Sequence, residues 1–505
     1  MLFNSKTKGK NTTTNYEGET AYTLSAAMEL YTAVVTTSLA DQFYEKGKDK
    51  LVRIQALIAK NDPLFVAKLA IYAREKMYLR AIPMVLAVEL AKIHQGDDLV
   101  GKLVNRIIQR ADEITEILSY YALANERKDT KKLGKLSKQI QKGLAMAFNK
   151  FDAYQFAKYN RETDIKLRDA LFLVHPKAKD EAQQAIFNQI VTNTLETPYT
   201  WETALSTLGQ TKFEDETVRA QAFTAQWEEL IDSQKMGYMA MLRNLRNILQ
   251  ANVGKAHIEK VVAYLSNEKA VLNAKQLPFR FLSAYRELEK EPSVYTVQIL
   301  NALEKAVKIS VANLQGFDDA VNVLLACDVS GSMQKAISPK SKIQNFDIGL
   351  MLAMLLQSRC KTVVSGMFGN TWKVINMPQN DILSNVQAYY KREGEVGYST
   401  NGYLVIKDLI ARRQVIDKVM FFTDCQMWNS NGTTESLPTL WNAYKVIAPE
   451  AKIYLFDLSG NGTSPINTQI KDVYLIAGWS DKVFDVLQAI ENGDNALEEV
   501  QKVYL

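Results

Sequence analysis

The spacing of apolar residues changes once along the chain, near Asn322, and this change constrains the fold more than any other feature. From about Tyr22 to Ser310, apolar residues recur at three- and four-residue steps, as in TLSAAMELYTAVVTTSLA and DPLFVAKLAIYAREK. That spacing is typical of amphipathic helices. Strand signals are nearly absent, and no strict repeat is visible. We therefore expect short helices stacked in degenerate pairs, as in a HEAT-like α-solenoid.

After Asn322 the apolar runs become short and rich in β-branched and aromatic residues, as in VNVLLACDVS, DKVMFFTDC and AKIYLFDLS, and helical stretches separate most of them. Continuous apolar strands that alternate with helices predict a parallel sheet covered on both faces. The length of 505 residues suits two or three domains. We predict a multidomain chain with a flexible N-terminus (1–15), an all-α domain (16–318) and a doubly wound α/β domain (319–505).

The chain has three cysteines, Cys327, Cys360 and Cys425, and each lies in or beside an apolar run. This sparse, odd-numbered set argues against a disulfide framework and favours buried thiols in a reducing compartment. The first residues carry no long apolar core, and no run of about 18 apolar residues occurs. We expect a cytoplasmic protein without a membrane partner.

Oxygen-bearing side chains follow two of the predicted strands. The first strand ends in Asp328-Val329-Ser330-Gly331-Ser332, and the run KVMFFTDC ends at Asp424. In a doubly wound sheet, ligands bind at the carboxyl ends of the strands. The loop GEVGYSTNG, before a predicted helix, adds a further hydroxyl. Together these oxygens form a candidate site for one divalent cation, Mg²⁺ or alternatively Mn²⁺, with the ligands Asp328, Ser330, Ser332, Thr400 and Asp424.

This order of residues resembles the metal-ion-dependent adhesion site (MIDAS) of von Willebrand factor A domains. Asp and Ser also favour turns and helix caps, which is the structural alternative for single members of the set. Two aspartates at the ends of apolar strands, however, need a counter-charge. In adhesion proteins of this family, an acidic side chain of a partner completes the metal coordination. Hydrolysis is less expected, because the three histidines all lie in the helical part, and we predict a protein that is not an enzyme.

The basic excess of the chain lies in its helical part. Residues 1–320 hold 44 Lys and Arg against 38 Asp and Glu, and the remainder holds 17 against 18. Within ERKDTKKLGKLSKQIQKGLAMAFNK, lysines recur at three- and four-residue steps, which predicts one stripe along a helix. A solvated helix face and a surface that tracks phosphates both fit such a stripe. Its members are Lys128, Lys131, Lys135, Lys138 and Lys142.

Helical repeats followed by an A domain are the order found in the Ro ribonucleoproteins, whose helical part is the TROVE module. Four stretches resemble that family: KKLGKLSKQI, AKYNRETDIKLRDALFLVHPK, MGYMAMLRNLRNIL and QLPFRFLSAY. In the second stretch, the residues between the matching positions differ from the family's pattern. The matching residues of these stretches include Gly134, Ile140, Asp169, Leu171, Leu173, Pro176, Met236, Leu242, Arg243, Asn244, Leu245, Pro278, Phe279 and Tyr285.

The Ro resemblance implies a ring of helical repeats closed by the A domain. It also implies partners: single-stranded 3′ ends of misfolded non-coding RNA at the ring's inner surface, Y-like small RNAs outside, and a 3′ exoribonuclease that acts with the RNA. RNA readers stack bases on aromatic or imidazole rings, although a lone histidine or an Arg–Asn pair is equally a structural group. By position, the RNA-contact candidates besides the lysine stripe are Lys158, Tyr159, Arg168, His175 and Lys177.

Two functions therefore compete. The first is a non-catalytic RNA-binding protein of the Ro type in RNA quality control or processing. The alternative is a protein-binding adaptor, in which the A domain grips an acidic protein ligand through its metal and the helices form a peptide platform. A metal-dependent hydrolase is weaker, because no HExxH, P-loop or second metal cluster is visible in the sequence.

Overall fold

The computed structural model describes residues 11–37, 39, 44–127, 136–160, 163–310 and 321–505. Their contacts divide the chain into two compact units. The first unit comprises residues 1–57, 266–290 and 297–499 and contains a six-stranded sheet. The second comprises residues 58–265, 291–296 and 500–505 and is helical. The helices in residues 266–290 and 297–310 thus group with the sheet. The boundary predicted at 318/319 lies within residues 311–320, outside the described part of the chain, and stays a prediction.

The predicted helices before residue 311 are present, and their bounds follow the apolar periodicity. Many begin at a side-chain cap that accepts a backbone N–H, such as Asp62, Asp180 and Asp215. In chain order they are α1 (Ala26–Val35), α2 (Gly47–Lys60), α3 (Pro63–Glu75), α4 (Ala81–Ile93), α5 (Leu99–Ile107), α6 (Asp112–Ala124), α7 (Lys138–Phe148), α8 (Ala153–Tyr159), α9 (Leu167–Val174), α10 (Glu181–Thr192), α11 (Trp201–Gln210), α12 (Glu216–Asp232), α13 (Tyr238–Gln250), α14 (Lys255–Leu265), α15 (Glu268–Ala274), α16 (Pro278–Leu288) and α17 (Thr296–Ser310).

Within the helical unit, each helix packs mainly against near neighbours in the sequence. Helix α3 contacts α4 and α5, α5 contacts α7, α7 contacts α9, and α12 contacts α14. Local packing of this kind is what a solenoid of stacked helix pairs requires. The structure is therefore consistent with a helical solenoid and a separate α/β unit, as predicted.

Helices α5 and α7 approach each other through two glycines. A Cβ atom added to Gly143 of α7 would lie 2.6 Å from the carbonyl oxygen of Gly101 on α5 and 2.6 Å from the Cβ of Val104. Real side chains do not approach so closely, so glycine is needed at position 143. The contact fixes α7, and with it the described lysines of the predicted stripe, against α5.

The sheet of the first unit has the order β5-β4-β3-β6-β7-β9. All neighbours in it are parallel except β5, which pairs antiparallel with β4 at the edge. Numbered within the sheet, this is the 3-2-1-4-5-6 order of a doubly wound fold. The strands of the chain are β1 (Thr12–Thr14), β2 (Thr20–Thr23), β3 (Asn322–Asp328), β4 (Thr362–Phe368), β5 (Trp372–Val374), β6 (Lys418–Thr423), β7 (Lys452–Asp457), β8 (Thr463–Ser464) and β9 (Val473–Ala477).

Helices cover both faces of this sheet, as the continuous apolar strands predict. On one face, Trp441 and Tyr444 pack with Phe421 and Leu455. On the other, Gly349 lies against the Cβ of Phe422. The helices of this part are α18 (Asn345–Gln357), α19 (Leu383–Tyr390), α20 (Tyr403–Arg412), α21 (Leu437–Ile447), α22 (Val483–Glu491) and α23 (Ala496–Gln501), with 3₁₀ turns at Gly331–Gln334 and Glu393–Val396.

A bidentate ion pair joins α16 to α18. The guanidinium of Arg286 donates to both carboxylate oxygens of Asp347, at 2.9 and 2.6 Å, and its Nε donates to Gln387. The Asp347 side chain is fully buried, and the ring of Tyr390 lies 4.6 Å from the guanidinium carbon. This pairing explains why a helix from the family-like stretch QLPFRFLSAY packs with the sheet.

The N-terminal segment is more ordered than the prediction of a flexible 1–15 region allows. Strands β1 and β2 form an antiparallel hairpin, and β2 pairs with β8, so residues 12–14 belong to a three-stranded sheet. The prediction is wrong for these residues because the partner strand comes from the far end of the sequence. Residues 1–10 lie outside the described part of the chain.

The three cysteine thiols are free and buried, as predicted. Burial raises the pKa of each thiol, to about 12 for Cys360, so they remain protonated and poorly nucleophilic. Within the described residues, none of the helices combines the length and apolar character needed to cross a bilayer.

Candidate metal centre and nucleic-acid interface

The two predicted strand-end aspartates lie side by side. Asp328 is the last residue of β3, and Asp424 follows the last residue of β6. These strands are parallel neighbours in register, with Cys327 opposite Phe422. Each aspartate is only 1% exposed. The alternation of strands and helices therefore buries two carboxylates at the same edge of the sheet.

Hydroxyl groups of the predicted set connect these carboxylates. The Ser330 hydroxyl bonds the Asp328 carboxylate, and the Ser332 hydroxyl bonds that of Asp424. The two serine oxygens lie 3.2 Å apart. Thr423, which the sequence reasoning missed, donates its hydroxyl to the second Asp328 oxygen at 2.6 Å. The serines are thus contacts of the carboxylates rather than isolated turn residues.

Thr400 lies beside this cluster, but its hydroxyl bonds a backbone carbonyl and neither of the two carboxylates. Its hydroxyl donates to the carbonyl of Gln426 at 3.1 Å, two residues after Asp424. The loop that carries it is held to the serine turn by the Gly331 N–H, which donates to the Tyr398 carbonyl at 2.9 Å. Thr400 is 3% exposed. All five predicted ligands are therefore buried around the same strand ends.

The electrostatics of the cluster fit a bound cation. Burial raises the pKa of Asp328 to about 6, and burial together with the Asp328 charge raises the pKa of Asp424 to about 7. Among the described residues, no Lys, Arg or His forms an ion pair with either carboxylate. Two carboxylates and three hydroxyls are hard oxygen donors of the kind that Mg²⁺ and Mn²⁺ prefer. The donor set therefore fits a divalent cation.

A third carboxylate at a strand end, that of Asp457, lies near a buried lysine side chain. It ends β7, and its Oδ1 accepts the N–H groups of Ser459 and Gly460 at 3.0 and 2.8 Å. The fully buried Lys50 donates to the Ser459 carbonyl and interacts electrostatically with Asp457. Burial lowers the pKa of Lys50 to about 8. Asp457 was visible in the sequence as a strand end, but its pairing with Lys50 was not.

No group of three or more His, Cys, Asp and Glu side chains in the described ranges is placed to hold a metal ion. The candidate centre has only two carboxylates, and hydroxyls supply its other oxygens. It also lacks a histidine, since His94, His175 and His257 lie in the helical unit.

The predicted lysine stripe does not form one helix. Helix α7 begins at Lys138, because Ser137 has a non-helical backbone (φ −52°, ψ 129°) and acts as its N-cap. Lys138 and Lys142 lie on α7 and are exposed. Lys128, Lys131 and Lys135 lie outside the described residues. A continuous helical stripe from 128 to 142 is therefore wrong at its junction, although its last two members share a helix as predicted.

The start of α7 lies against the end of α9. The Gln141 amide donates to the carbonyls of Leu173 and Val174, both at 3.3 Å, and the Lys138 ammonium donates to Gln141 at 3.4 Å. His175 caps α9 in a left-handed conformation, with φ of 51°, and its ring is exposed. These contacts bring His175 close to the α7 lysines.

Lys177 lies beside the other end of α7. Its carbonyl accepts from the side-chain amide of Asn149, the C-cap of α7, at 2.9 Å, and its side chain is exposed. Predicted RNA-contact residues that carry a positive charge therefore lie near both ends of α7.

The remaining predicted RNA-contact residues take part in pairs between a positively charged group and an aromatic ring. Lys158 lies 5.7 Å from the ring centres of both Tyr154 and Tyr159, and Arg110 lies 4.4 Å from that of Tyr159. Lys158 and Tyr159 also line a groove of about 650 Å³ between α8 and the segment 193–203. Arg110 and Tyr154 were not predicted, although Tyr154 is one helical turn before Lys158, a spacing that would have pointed to it.

A similar pair lies on α9. Arg168 is exposed and lies 5.8 Å from the ring centre of Phe172, which is 48% exposed. A large aromatic ring so open to solvent is unusual for a packing residue. The sequence reasoning included Arg168 and missed Phe172.

The neighbouring residues Arg243 and Asn244 have different environments: Asn244 is buried and structural, and Arg243 is exposed. Asn244 is 2% exposed, and its amide donates to the Ala240 carbonyl at 2.9 Å while its oxygen accepts from Asn247. Arg243 is exposed on the same helix. The structural interpretation is therefore confirmed for Asn244.

A protein-family model and several known proteins resemble this chain. The TROVE domain model matches residues 12–226 and 194–294, more than half of the chain. Among curated proteins, telomerase protein component 1 of Rattus norvegicus is 26% identical over 311 residues, 46% of this chain and 11% of that protein. Its Mus musculus counterpart is 24% identical over 340 residues, 51% of this chain and 12% of that protein. The chain spans about a tenth of the length of these relatives.

Among solved structures, the Ro (Rsr) protein of Deinococcus radiodurans has a similar fold. The TM-score is 0.59 at 17% sequence identity, covering 93% of this chain and all of that one. Likeness at that identity concerns the fold, whereas the match to the TROVE model concerns the sequence itself. The chain therefore belongs to the TROVE-domain family and is a Ro-like protein.

Proposed function

We propose that this chain is a non-catalytic RNA-binding protein of the Ro type that acts in RNA quality control or processing. Its proposed ligands are Y-like small RNA and the single-stranded 3′ ends of misfolded non-coding RNA. Family membership supports RNA as the partner. The observation that carries the proposal is the surface of α7, α8 and α9, defined by Lys138, Lys142, Lys158, Tyr159, Arg168, His175 and Lys177, and called here the α7–α9 surface.

The chemistry of the α7–α9 surface suits single-stranded RNA. Exposed ammonium and guanidinium groups neutralise phosphates without regard to sequence. Tyr159, with Arg110 and Lys158 near its ring, offers a flat apolar face on which a base can stack, and such stacking contributes about 1–3 kcal/mol per base. The groove beside Tyr159 gives an unpaired base room to enter.

The sheet-bearing unit is proposed to be a von Willebrand factor A-type domain with one Mg²⁺ (Mn²⁺ as alternative). Asp328, Ser330, Ser332, Thr400 and Asp424 would hold the ion directly or through water. When bound, the ion supplies positive charge and a coordination position for an anionic oxygen. The closing of the helices into a ring, the cytoplasmic location and a 3′ exoribonuclease that acts through the RNA are parts of the proposal inherited from the Ro resemblance.

The proposal is tested by the affinity of the full chain for a hairpin RNA with a single-stranded 3′ tail, measured across a salt series. The variant Lys138→Glu with Lys142→Glu is expected to bind at least roughly tenfold more weakly, because two attractive contacts with phosphate become repulsive. Removing two phosphate contacts should also reduce the slope of log affinity against log salt by about 1.4 for a single strand.

A charge-matched control carries Lys269→Glu with Lys290→Glu, two exposed lysines of the other unit. It should keep the wild-type affinity. Equal losses in both double variants would assign the binding to net charge and remove the α7–α9 surface as the site. Absence of binding by the wild-type chain at low salt would refute the RNA function and favour the adaptor alternative, with an acidic protein ligand at the metal.

A further inference from the structure

A cavity of about 360 Å³ lies in the sheet-bearing unit, and none of the predicted metal ligands lines it. It is bordered by strand β2, the start of α20, the loop between β6 and α21, and the start of α21. Pockets that hold a ligand usually measure about 300–1,000 Å³ and combine apolar walls with a few placed polar groups. The cavity therefore has the size of a binding site, and its lining residues decide what it can hold.

Three aromatic residues line this cavity: Tyr22, Tyr403 and Trp428. Tyr403 is 3% exposed, and its hydroxyl donates to Oδ1 of Asn429 at 3.0 Å. Tyr22 and Trp428 are partly exposed, so the cavity opens to solvent, and a side chain can enter it while the backbone that carries it stays outside. The faces of aromatic rings attract a cation placed over them.

Within the described part of the chain, two charged residues line the cavity, and both are acidic. The carboxylate of Glu435 is paired with the Lys407 ammonium at 2.7 Å. The Glu19 carboxylate accepts the N–H groups of Thr20 and Asn429 at 3.2 and 3.4 Å. It forms no ion pair with any residue that the structure describes. Glu19 therefore presents a negative charge, held in position by the backbone, to the same cavity as the aromatic rings.

The start of α21 also borders the cavity, and helix N-termini usually attract anions. Here the first turn offers an anion few donors, because Pro438 has no N–H. The Thr439 N–H donates to the Ser436 hydroxyl at 3.4 Å. The next N–H, that of Leu440, donates to the Ser436 carbonyl at 3.0 Å. The cavity therefore suits a cation better than a phosphate or a carboxylate.

From the aromatic walls and the unpaired Glu19 carboxylate we infer that this cavity binds one arginine side chain of a partner polypeptide. A guanidinium is planar, stacks on aromatic rings and donates two parallel N–H groups to one carboxylate, which an ammonium does not do. The methylene stem of the arginine has apolar surface to cover at Met427 and Leu437, which also line the cavity. The inference goes beyond the proposed function, since it requires neither the RNA nor the metal ion.

The test is NMR of the tryptophan indole N–H groups of the full chain, with chelator present, during titration with a capped glycine–arginine–glycine peptide. The Trp428 signal is identified by its absence from the Trp428→Phe variant. It should shift and saturate, whereas the signal of Trp441, which is 1% exposed, should stay in place. The same peptide with citrulline, which has nearly the same shape and no charge, should bind at least about fivefold more weakly.

The variant Glu19→Gln removes the charge and keeps an oxygen that accepts the Thr20 N–H. It should bind the arginine peptide about threefold more weakly than the wild type. The matched control is Glu450→Gln, at an exposed glutamate of the same unit, and it should bind like the wild type. Equal affinity for the arginine and citrulline peptides would overturn the inference. So would an equal loss in the two glutamate variants, or a Trp428 signal that does not move.

Discussion

Replacing Asp424 by asparagine is expected to stabilise the metal-free protein near pH 8 and to change little near pH 4. In the folded chain, burial and the neighbouring Asp328 charge raise the pKa of Asp424 from the usual 3.8 to about 7. A carboxyl whose pKa is raised by folding favours the folded state only while it is protonated. The stability of the wild type should therefore fall as pH rises from about 4 through about 7.

The size of the effect follows from that shift. One pKa unit corresponds to about 1.4 kcal/mol, so charging Asp424 in the folded chain costs roughly 4 kcal/mol near pH 8. Asparagine keeps the shape and an oxygen that accepts the Gln426 N–H, and it carries no charge. Because the Asp328 charge is one cause of the raised Asp424 pKa, the difference between the two proteins reports the Asp424 carboxylate together with its repulsion of Asp328.

The assay is exchange of the β3 and β6 backbone amides, which reports the unfolding free energy of the unit that holds the site. It is run from pH 4 to pH 8 with chelator and then with Mg²⁺. Mg²⁺ at about 100 times its dissociation constant should stabilise the wild type by about 2.7 kcal/mol and the variant by much less. A metal-free variant that is less stable than the wild type near pH 8 would refute the reasoning.

Two further predictions concern packing. Arg286→Ala should lower the unfolding free energy of the sheet-bearing unit by about 3–5 kcal/mol in amide exchange, because it leaves the buried Asp347 carboxylate without its cation; a loss below about 1 kcal/mol would contradict a buried ion pair. Gly143→Ala should destabilise the helical unit by about 1–3 kcal/mol in urea unfolding, since its methyl would meet the Gly101 carbonyl. The control Gly209→Ala adds a methyl in open space on a helix and should be neutral or stabilising.

Periodicity alone predicted the helices and the covered parallel sheet. The spacing of apolar residues differs between a helix buried on one face and a strand buried on both faces, so the sequence distinguishes them. It did not predict the strand order, since which strands become neighbours depends on contacts far apart in sequence. Strand β1 was missed for the same reason. Three threonines carry no alternation of apolar and polar residues, and their sheet is completed only by Thr463–Ser464.

The prediction that the lysines share one continuous helix is wrong at the point where the backbone interrupts the helical spacing. The steps of three and four residues continue across Leu136 and Ser137, but the backbone of Ser137 is not helical (φ −52°, ψ 129°), and the helix starts after it. Helical spacing describes which residues share a face only if the helix is continuous, so the pattern overstated the length of the helix that carries Lys138 and Lys142.

The candidate metal residues were predictable because strand ends meet at one edge of a parallel sheet. The residues around them were not. Thr423 reaches Asp328 from the neighbouring strand, and Tyr44 reaches Ser332 from the N-terminal segment. These contacts arise from tertiary packing between segments that are distant in the sequence, and no local sequence motif predicts them.

The pairing of β2 with β8 has a consequence for biosynthesis. Tyr22 is opposite Ser464 in that pairing, so the partner of the N-terminal hairpin leaves the ribosome about 440 residues later. At about 5–20 residues per second, the delay is roughly 20–90 s. During that time the edge of β2 that pairs with β8 is unpaired, and this hairpin, although made before the helical unit, is among the last segments to reach its final place. An elongating chain should therefore acquire its helical unit first, and the N-terminal segment should stay open to proteolysis until synthesis passes β8.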